Sequence, residues 1–261
     1  MKVRDTNKLE NEDLLSSIQV MFLGSGDAFS SGGRLHTSIL VSTEMMKFLI
    51  DFGASGMVSL RRFGIDPNEI QMIFISHLHG DHFGGIPFFI LDAQLISKRI
   101  APLTIIGPPG TKKRVLAAME VMFPGSSTTT RKFQLNMMEF DLAASYEHMG
   151  LRVTPQVVLH PSGAPALALR IEVNGKVITY TGDTEWVNTL IPAAREADLL
   201  ISECYFYDKK VKFHMDYQTL QSHLHEIRPK RLVVTHMSRE MLNMVEKLDC
   251  EYAKDGLILE V

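Results

Sequence analysis

The stretch Ser76-His77-Leu78-His79-Gly80-Asp81-His82 carries three imidazoles and a carboxylate within a six-residue span. Imidazole nitrogen and carboxylate oxygen are ligands for divalent transition metals. His77 and His79 are two apart, so in extended chain they project to the same side; Gly80 permits a tight turn that would redirect Asp81 and His82 toward a second point. One strand end and one turn could therefore serve two metal ions, the bland alternative being a solvated loop rich in histidine. Three further candidates stand singly where strands should end. His160 follows Val157, Val158 and Leu159; Asp183 follows the run 177–181 across Gly182; His236 follows Leu232, Val233, Val234 and Thr235. Each alone would more often be structural, but together they supply what two ions would still need. Asp51, closing the run Phe48, Leu49, Ile50, could orient a metal-binding histidine from behind or cap a helix over residues 54–63. Glu203 lies just beyond the apolar run 199–202, and His214 sits in Phe213-His214-Met215-Asp216. His223 and His225 look like a chelating pair, but inside a helix residues two apart point about 200° around the axis and cannot share an ion, so both are expected at the surface.

These positions need strands to carry them. The apolar run Met72, Ile73, Phe74, Ile75 reads as a buried strand leading into the histidine cluster. Others are expected over residues 18–23, 38–42, 46–50, 102–106, 133–140, 151–159, 166–173 and 176–180, the last two joined by Asn174-Gly175, a strong hairpin signal. Helices are expected over 86–96, entered at Pro87 and apolar on nearly every side, so buried with its phenylalanines in the core, and over 111–122 and 216–227. The glycine-dense stretch 24–34 reads as tight turns or as a lining for substrate; it lacks the spacing of a nucleotide-binding loop. Residues 1–17 are polar and mixed in charge, a loose lead-in.

The chain has 261 residues, 45% of them hydrophobic, enough for a real core. Its net charge of -3 argues against a surface built mainly to hold a polyanion. The two cysteines, Cys204 and Cys250, are far apart in sequence; they make no metal-ligand pair and suggest no disulfide framework, and both read as buried thiols. No secretory signal or membrane-length run is present, so a cytoplasmic setting without membrane contact is expected.

With its His-x-His-x-Asp-His signature, the chain resembles the metallo-β-lactamase superfamily from the strand before Gly24 to the loop after His236. The resemblance implies an α/β fold over residues 1–261 as a single domain: a four-layer αβ/βα sandwich, two mixed β-sheets flanked by helices. It implies His77, His79 and His160 as the ligands of one metal, Asp81, His82 and His236 as those of the other, Asp183 as the bridging carboxylate and Asp51 as a supporting residue. Within the superfamily the chain looks most like the ribonuclease Z and phosphodiesterase branch. Glu203 and His214 resemble that branch's pair for leaving-group departure, the glutamate holding the imidazole protonated and the imidazole donating the proton. Asp81, His214 and Glu203 are thus the residues assigned to the reaction, although Met215-Asp216 replaces the branch's usual small hydroxylated residues. Ribonuclease Z carries a long arm between its third and fourth motifs to grip transfer RNA; from His160 to Asp183 this chain has room only for a hairpin.

The expectation is a metal-dependent hydrolase with two divalent ions, zinc, or else manganese or iron, held by five imidazoles and two carboxylates. Such a net positive site should attract an anionic ester and make a bridging hydroxide the nucleophile near neutral pH. A small nucleotide or other anionic diester is the expected substrate. The alternatives are lactone, thioester or amide hydrolysis, a ribonuclease Z-like endonuclease, or a metal-binding protein without activity. Nucleic acid is not favoured as a partner, and a homodimer is compatible with the resemblance.

Overall fold

A computed structural model describes residues 17–261; apart from its last position, the expected lead-in over 1–17 lies outside the described residues. The first sheet begins with β1 (Gln19–Gly24), β2 (Ser38–Ser42), β3 (Lys47–Ile50), β4 (Ile70–Phe74), β5 (Leu103–Gly107) and β6 (Leu135–Glu139). The second contains β7 (Tyr146–His148), β8 (Leu151–Val158), β9 (Ala166–Val173), β10 (Lys176–Tyr180), β11 (Leu199–Glu203), β12 (Leu232–Thr235) and β13 (Glu251–Tyr252). A last strand, β14 (Ile258–Glu260), returns to pair with β1 and completes seven strands in each sheet. In each sheet one half is antiparallel and the other parallel, from β3 to β6 in the first and from β10 to β13 in the second.

Strand β4, in which only Gln71 is polar and exposed, shows why the run from Met72 to Ile75 is unbroken. Met72 and Phe74 point into the core between the sheets, while Ile70 and Ile73 point outward against helices. A strand buried on both faces has no polar side to alternate. The outer face of the first sheet is covered by α1 (Gly56–Arg62), a single turn α2 (Gly80–Phe83), α3 (Ile86–Leu95) and α4 (Thr111–Met122). That of the second is covered by α5 (Leu190–Ala194), α6 (Tyr217–Ile227) and α7 (Arg239–Leu242). The result is the four-layer αβ/βα sandwich. The hairpin between β9 and β10 turns at Asn174 and Gly175, both at positive φ (48° and 74°), as a tight two-residue turn requires.

Helix α3 differs from its expectation. Phe89 is buried, but Phe88 is 41% exposed and Ile96, just past the helix, 69%. The helix lies on the sheet with one face only, and its outer face joins Met57, Val58 and Phe123 in an apolar groove. Cys204 is buried as expected, whereas Cys250 is only half-buried, and both thiols are free. Among the described residues no helix is long and apolar enough to cross a membrane.

Candidate metal centre

Parallel strands put their C-terminal ends at one edge of each sheet, and the two edges meet. His77, His79, Asp81 and His82 follow β4; His160 follows β8; Asp183, Glu203 and His236 stand at or past the ends of β10, β11 and β12. The turn after β4 is made by α2, with His79 as its N-terminal cap. Gly80 is not in the left-handed region, and a side chain on it would meet nothing within 4 Å. The redirection of Asp81 and His82 thus comes from one helical turn and not from the freedom of glycine. Gly182 is different: at φ 60° it swings the chain out of β10 into Asp183, and a Cβ there would meet the Leu167 carbonyl oxygen at 2.7 Å.

The side chains converge in two groups. In the first, His79 Nδ1 lies 3.0 Å from His160 Nε2, with His77 beside them. In the second, His82 Nε2 and His236 Nε2 are 3.4 Å apart, and Asp81 Oδ2 lies 3.1 and 3.2 Å from them. Asp183 Oδ2 stands between the groups, 3.4 Å from both His82 and His236 and 3.7 and 3.9 Å from His77 and His160.

Bonds behind the rings set which nitrogen faces inward. Ser76 donates from its amide to Asp51 Oδ1 and from its hydroxyl to Asp51 Oδ2, each at 2.7 Å. With its proton committed, that hydroxyl accepts from His77 Nδ1 at 3.0 Å. His82 Nδ1 donates to Asp51 Oδ2 at 2.7 Å, and His160 Nδ1 to the Phe213 carbonyl at 3.0 Å. In their neutral form all three rings would therefore keep the proton on Nδ1 and offer Nε2 to the centre, the tautomer that binds metal. Asp51 bonds His82 directly and reaches His77 through Ser76, and it caps no helix. It adopts φ 57°, and His236 φ 55°, in the strained left-handed region where side chains are held only by surrounding structure.

The donor set fits divalent ions. His77 Nε2 and Asp183 Oδ1 are buried without a hydrogen-bond partner, costly for protein atoms unless something else binds them. Burial pushes His77 and His160 below the usual histidine pKa. Burial acts the same way on His82 and His236 but is outweighed by Asp183 and Asp81, so His82 is held well above its usual value and His236 up to about 9. For Asp183 burial favours the neutral acid; the imidazoles of His236, His82 and His77 prevail and keep it well below the usual carboxylate range. Carboxylates that draw protons onto neighbouring rings would draw cations as well.

His214 stands at the mouth, with Glu203 behind it. Glu203 is fully buried, accepting from the Thr184 amide with one oxygen and pairing through the other with His214 Nδ1 at 3.0 Å. Burial raises the Glu203 pKa to about 7. For His214 burial works downward, but the hydrogen bond and charge of Glu203 win, so its pKa is raised. This is no surface salt bridge. His223 and His225 do point apart, but His223 is half-buried, its ring stacked on Trp186 at 3.9 Å and bonded to Glu226, while His225 is exposed. The residue types gave no role to Ser76, Phe213 or Thr184. Each adjoins a flagged residue, which was the one available signal. Tyr205, stacked on His214 at 4.8 Å, gave none.

Sheets, layers and site edge together are those of a metallo-β-lactamase fold. The structure superimposes on the metallo-β-lactamase fold protein YhfI from Bacillus subtilis with a TM-score of 0.78, at 20% identity, covering 94% of this chain and 100% of that one. It matches human tRNase Z, short form, with a TM-score of 0.74 at 25% identity over 92% and 98% of the two chains. In sequence it is 25% identical to the ribonuclease Z of Methanosarcina mazei over 85% of this chain and 88% of that protein. The profile of the family described as "Anti-Pycsar protein Apyc1" matches residues 18–256, and the chain belongs to that family.

Proposed function

We propose that the chain is a metal-dependent phosphodiesterase that cleaves a small, nucleotide-like diester. In this reading His77, His79 and His160 hold one divalent ion, Asp81, His82 and His236 hold a second, and Asp183 is shared. The observation that carries it is the position of the Asp183 carboxylate between the two groups, with one oxygen near four imidazole nitrogens and the other buried without a partner. Bound there, zinc, or manganese or iron, would supply Lewis acidity, polarising the phosphoryl group and lowering the pKa of water.

The chain's own residues would do the rest. Asp51, through Ser76 and His82, holds rings in place before substrate arrives. His214, kept protonated by Glu203, donates a proton to the departing oxygen. Support for a phosphodiester comes from the ribonuclease Z relative and from this Glu-His pair, which an acyl substrate with a good leaving group would not need. Support for a small substrate comes from the segment between His160 and Asp183, a short loop and the tight β9–β10 hairpin, with nothing protruding to grip a long polynucleotide.

The test is hydrolysis of bis(p-nitrophenyl) phosphate by metal-loaded protein, metal-free protein and the metal-loaded Asp183→Ala variant. Turnover confined to the first supports the reading. No turnover with two ions bound would move the assignment to lactone, thioester or amide substrates.

A further inference from the structure

A carboxylate on a loop is ordinarily a solvated charge. Glu185, two residues past Asp183, departs from that: it is half-buried, and its Oε2 accepts from the amide of Phe213 at 2.7 Å. Phe213 stands at φ 71°, a left-handed conformation that a bulky residue keeps only when its surroundings impose it. The carbonyl of the same residue accepts from His160 Nδ1 at 3.0 Å, and its peptide bond leads directly into His214. One strained residue thus faces a candidate metal ligand and carries the candidate proton donor as its neighbour.

The loop that presents Phe213 is closed at its base, where the Tyr205 amide donates to the Met215 carbonyl at 2.9 Å. Among the described residues, three hydrogen bonds join its returning limb, residues 211–214, to the body of the protein. Two of the partners are His160 and Glu203, which the proposed mechanism already uses. The third is Glu185. Its own backbone is fixed: the Thr184 hydroxyl donates to the Glu185 carbonyl at 2.6 Å and accepts from the Leu159 amide at 3.0 Å, while the Thr184 amide donates to Glu203. A carboxylate bonded to a backbone amide makes one of the stronger hydrogen bonds, suited to holding a backbone in a conformation it would otherwise leave. We propose that Glu185 is a positioning residue. By holding Phe213 in the left-handed conformation it aims the Phe213 carbonyl at His160, fixing that ring for the ion it shares with His77 and His79, and it sets His214 in place at the mouth. The first role rests on the ligand assignment proposed above, and the second on the phosphodiesterase reading.

The experiment titrates zinc into metal-free wild type, Glu185→Ala and Glu185→Gln in competition with a chromophoric chelator, which yields the affinity of each site without any substrate. Two ions should bind the wild type. Glu185→Ala should weaken one of them about tenfold, as loss of a group that orients a ligand does, and leave the other unchanged. Glu185→Gln, whose amide oxygen can still accept from Phe213, should recover most of that affinity. Glycine takes φ 71° without strain, so on a Phe213→Gly background Glu185→Ala should cost much less. Unaltered affinities in Glu185→Ala, a loss in Glu185→Gln as large as in Glu185→Ala, or an equal cost on both backgrounds would overturn the proposal. Failure of the wild type to bind zinc would refute the ligand assignment and the proposal with it. Hydrolysis by the zinc-saturated proteins tests the role at His214. Glu185→Ala should lower kcat more for a diester with an alkoxide leaving group than for one with nitrophenolate, with KM little changed; equal losses would overturn that role. No hydrolysis by a wild type that binds two ions would refute the phosphodiesterase reading together with the role at His214, while the affinities still decide the hold on His160.

Discussion

In the proposed mechanism the task of Glu203 is to hold a proton where it is needed. Buried and bonded to His214 Nδ1 at 3.0 Å, it raises the pKa of that imidazole and so favours its protonated form. Glu203→Gln keeps the shape and removes the charge. It should lower kcat about hundredfold for a diester with an alkoxide leaving group, which must be protonated to depart. With nitrophenolate, stable as an anion, kcat should barely change; an equal loss on both substrates would mean that the pair shapes the site and moves no proton. The ligand cluster was legible because four of its members are neighbours in sequence. The support behind it was legible only in part: Asp51 was marked by its place at a strand end, but Ser76 acquires its role from the parallel register that sets Ile50 beside Phe74. Register is a property of the sheet, and residue spacing along one strand does not contain it.

Among elements, the connection from α3 to β5 shows what periodicity leaves out. Arg99 is 2% exposed, and its guanidinium donates to the carbonyls of Pro67, Ile70, Ala101 and Pro102, clamping the entries to β4 and β5. Arg99→Ala would strand these acceptors and should cost about 3 kcal/mol, readable as a lower midpoint in urea. Arg99→Lys should recover only part of the loss, since one ammonium cannot reach four carbonyls placed for a planar fork. A loss under about 0.5 kcal/mol, the range of an ordinary surface change, would contradict this. An arginine in a loop reads from sequence as solvated. The long strands and helices α3, α4 and α6 were legible because apolar runs and turn residues bound them. The short ones, β7, β13, β14, α5 and α7, were not: Glu251–Tyr252 is a strand only because β12 lies beside it. The outer face of α3 misled for the opposite reason, since apolar residues all round a helix look like burial whether or not anything covers them.

For the whole molecule, the site joins two halves. His77, His79, Asp81 and His82 belong to the first sheet, and His160, Asp183 and His236 to the second. Alternating strands and helices are compatible with many α/β folds; pairing two half-parallel sheets face to face came from the resemblance, not from periodicity. Ions bound across the seam would stabilise the native state by about 4 kcal/mol at a thousandfold excess over Kd, so chelation should lower Tm by roughly 10 °C. An unchanged Tm would mean that the halves hold together without them. The dinuclear phosphodiesterase reading is tested most directly by the rate of diester hydrolysis as metal-free protein is titrated with zinc. The metal-free protein should be inactive, activity should rise and level off at two equivalents per chain, and Asp183→Ala should show no comparable rise. Full activity at one equivalent, or hydrolysis by the metal-free protein, would contradict that reading.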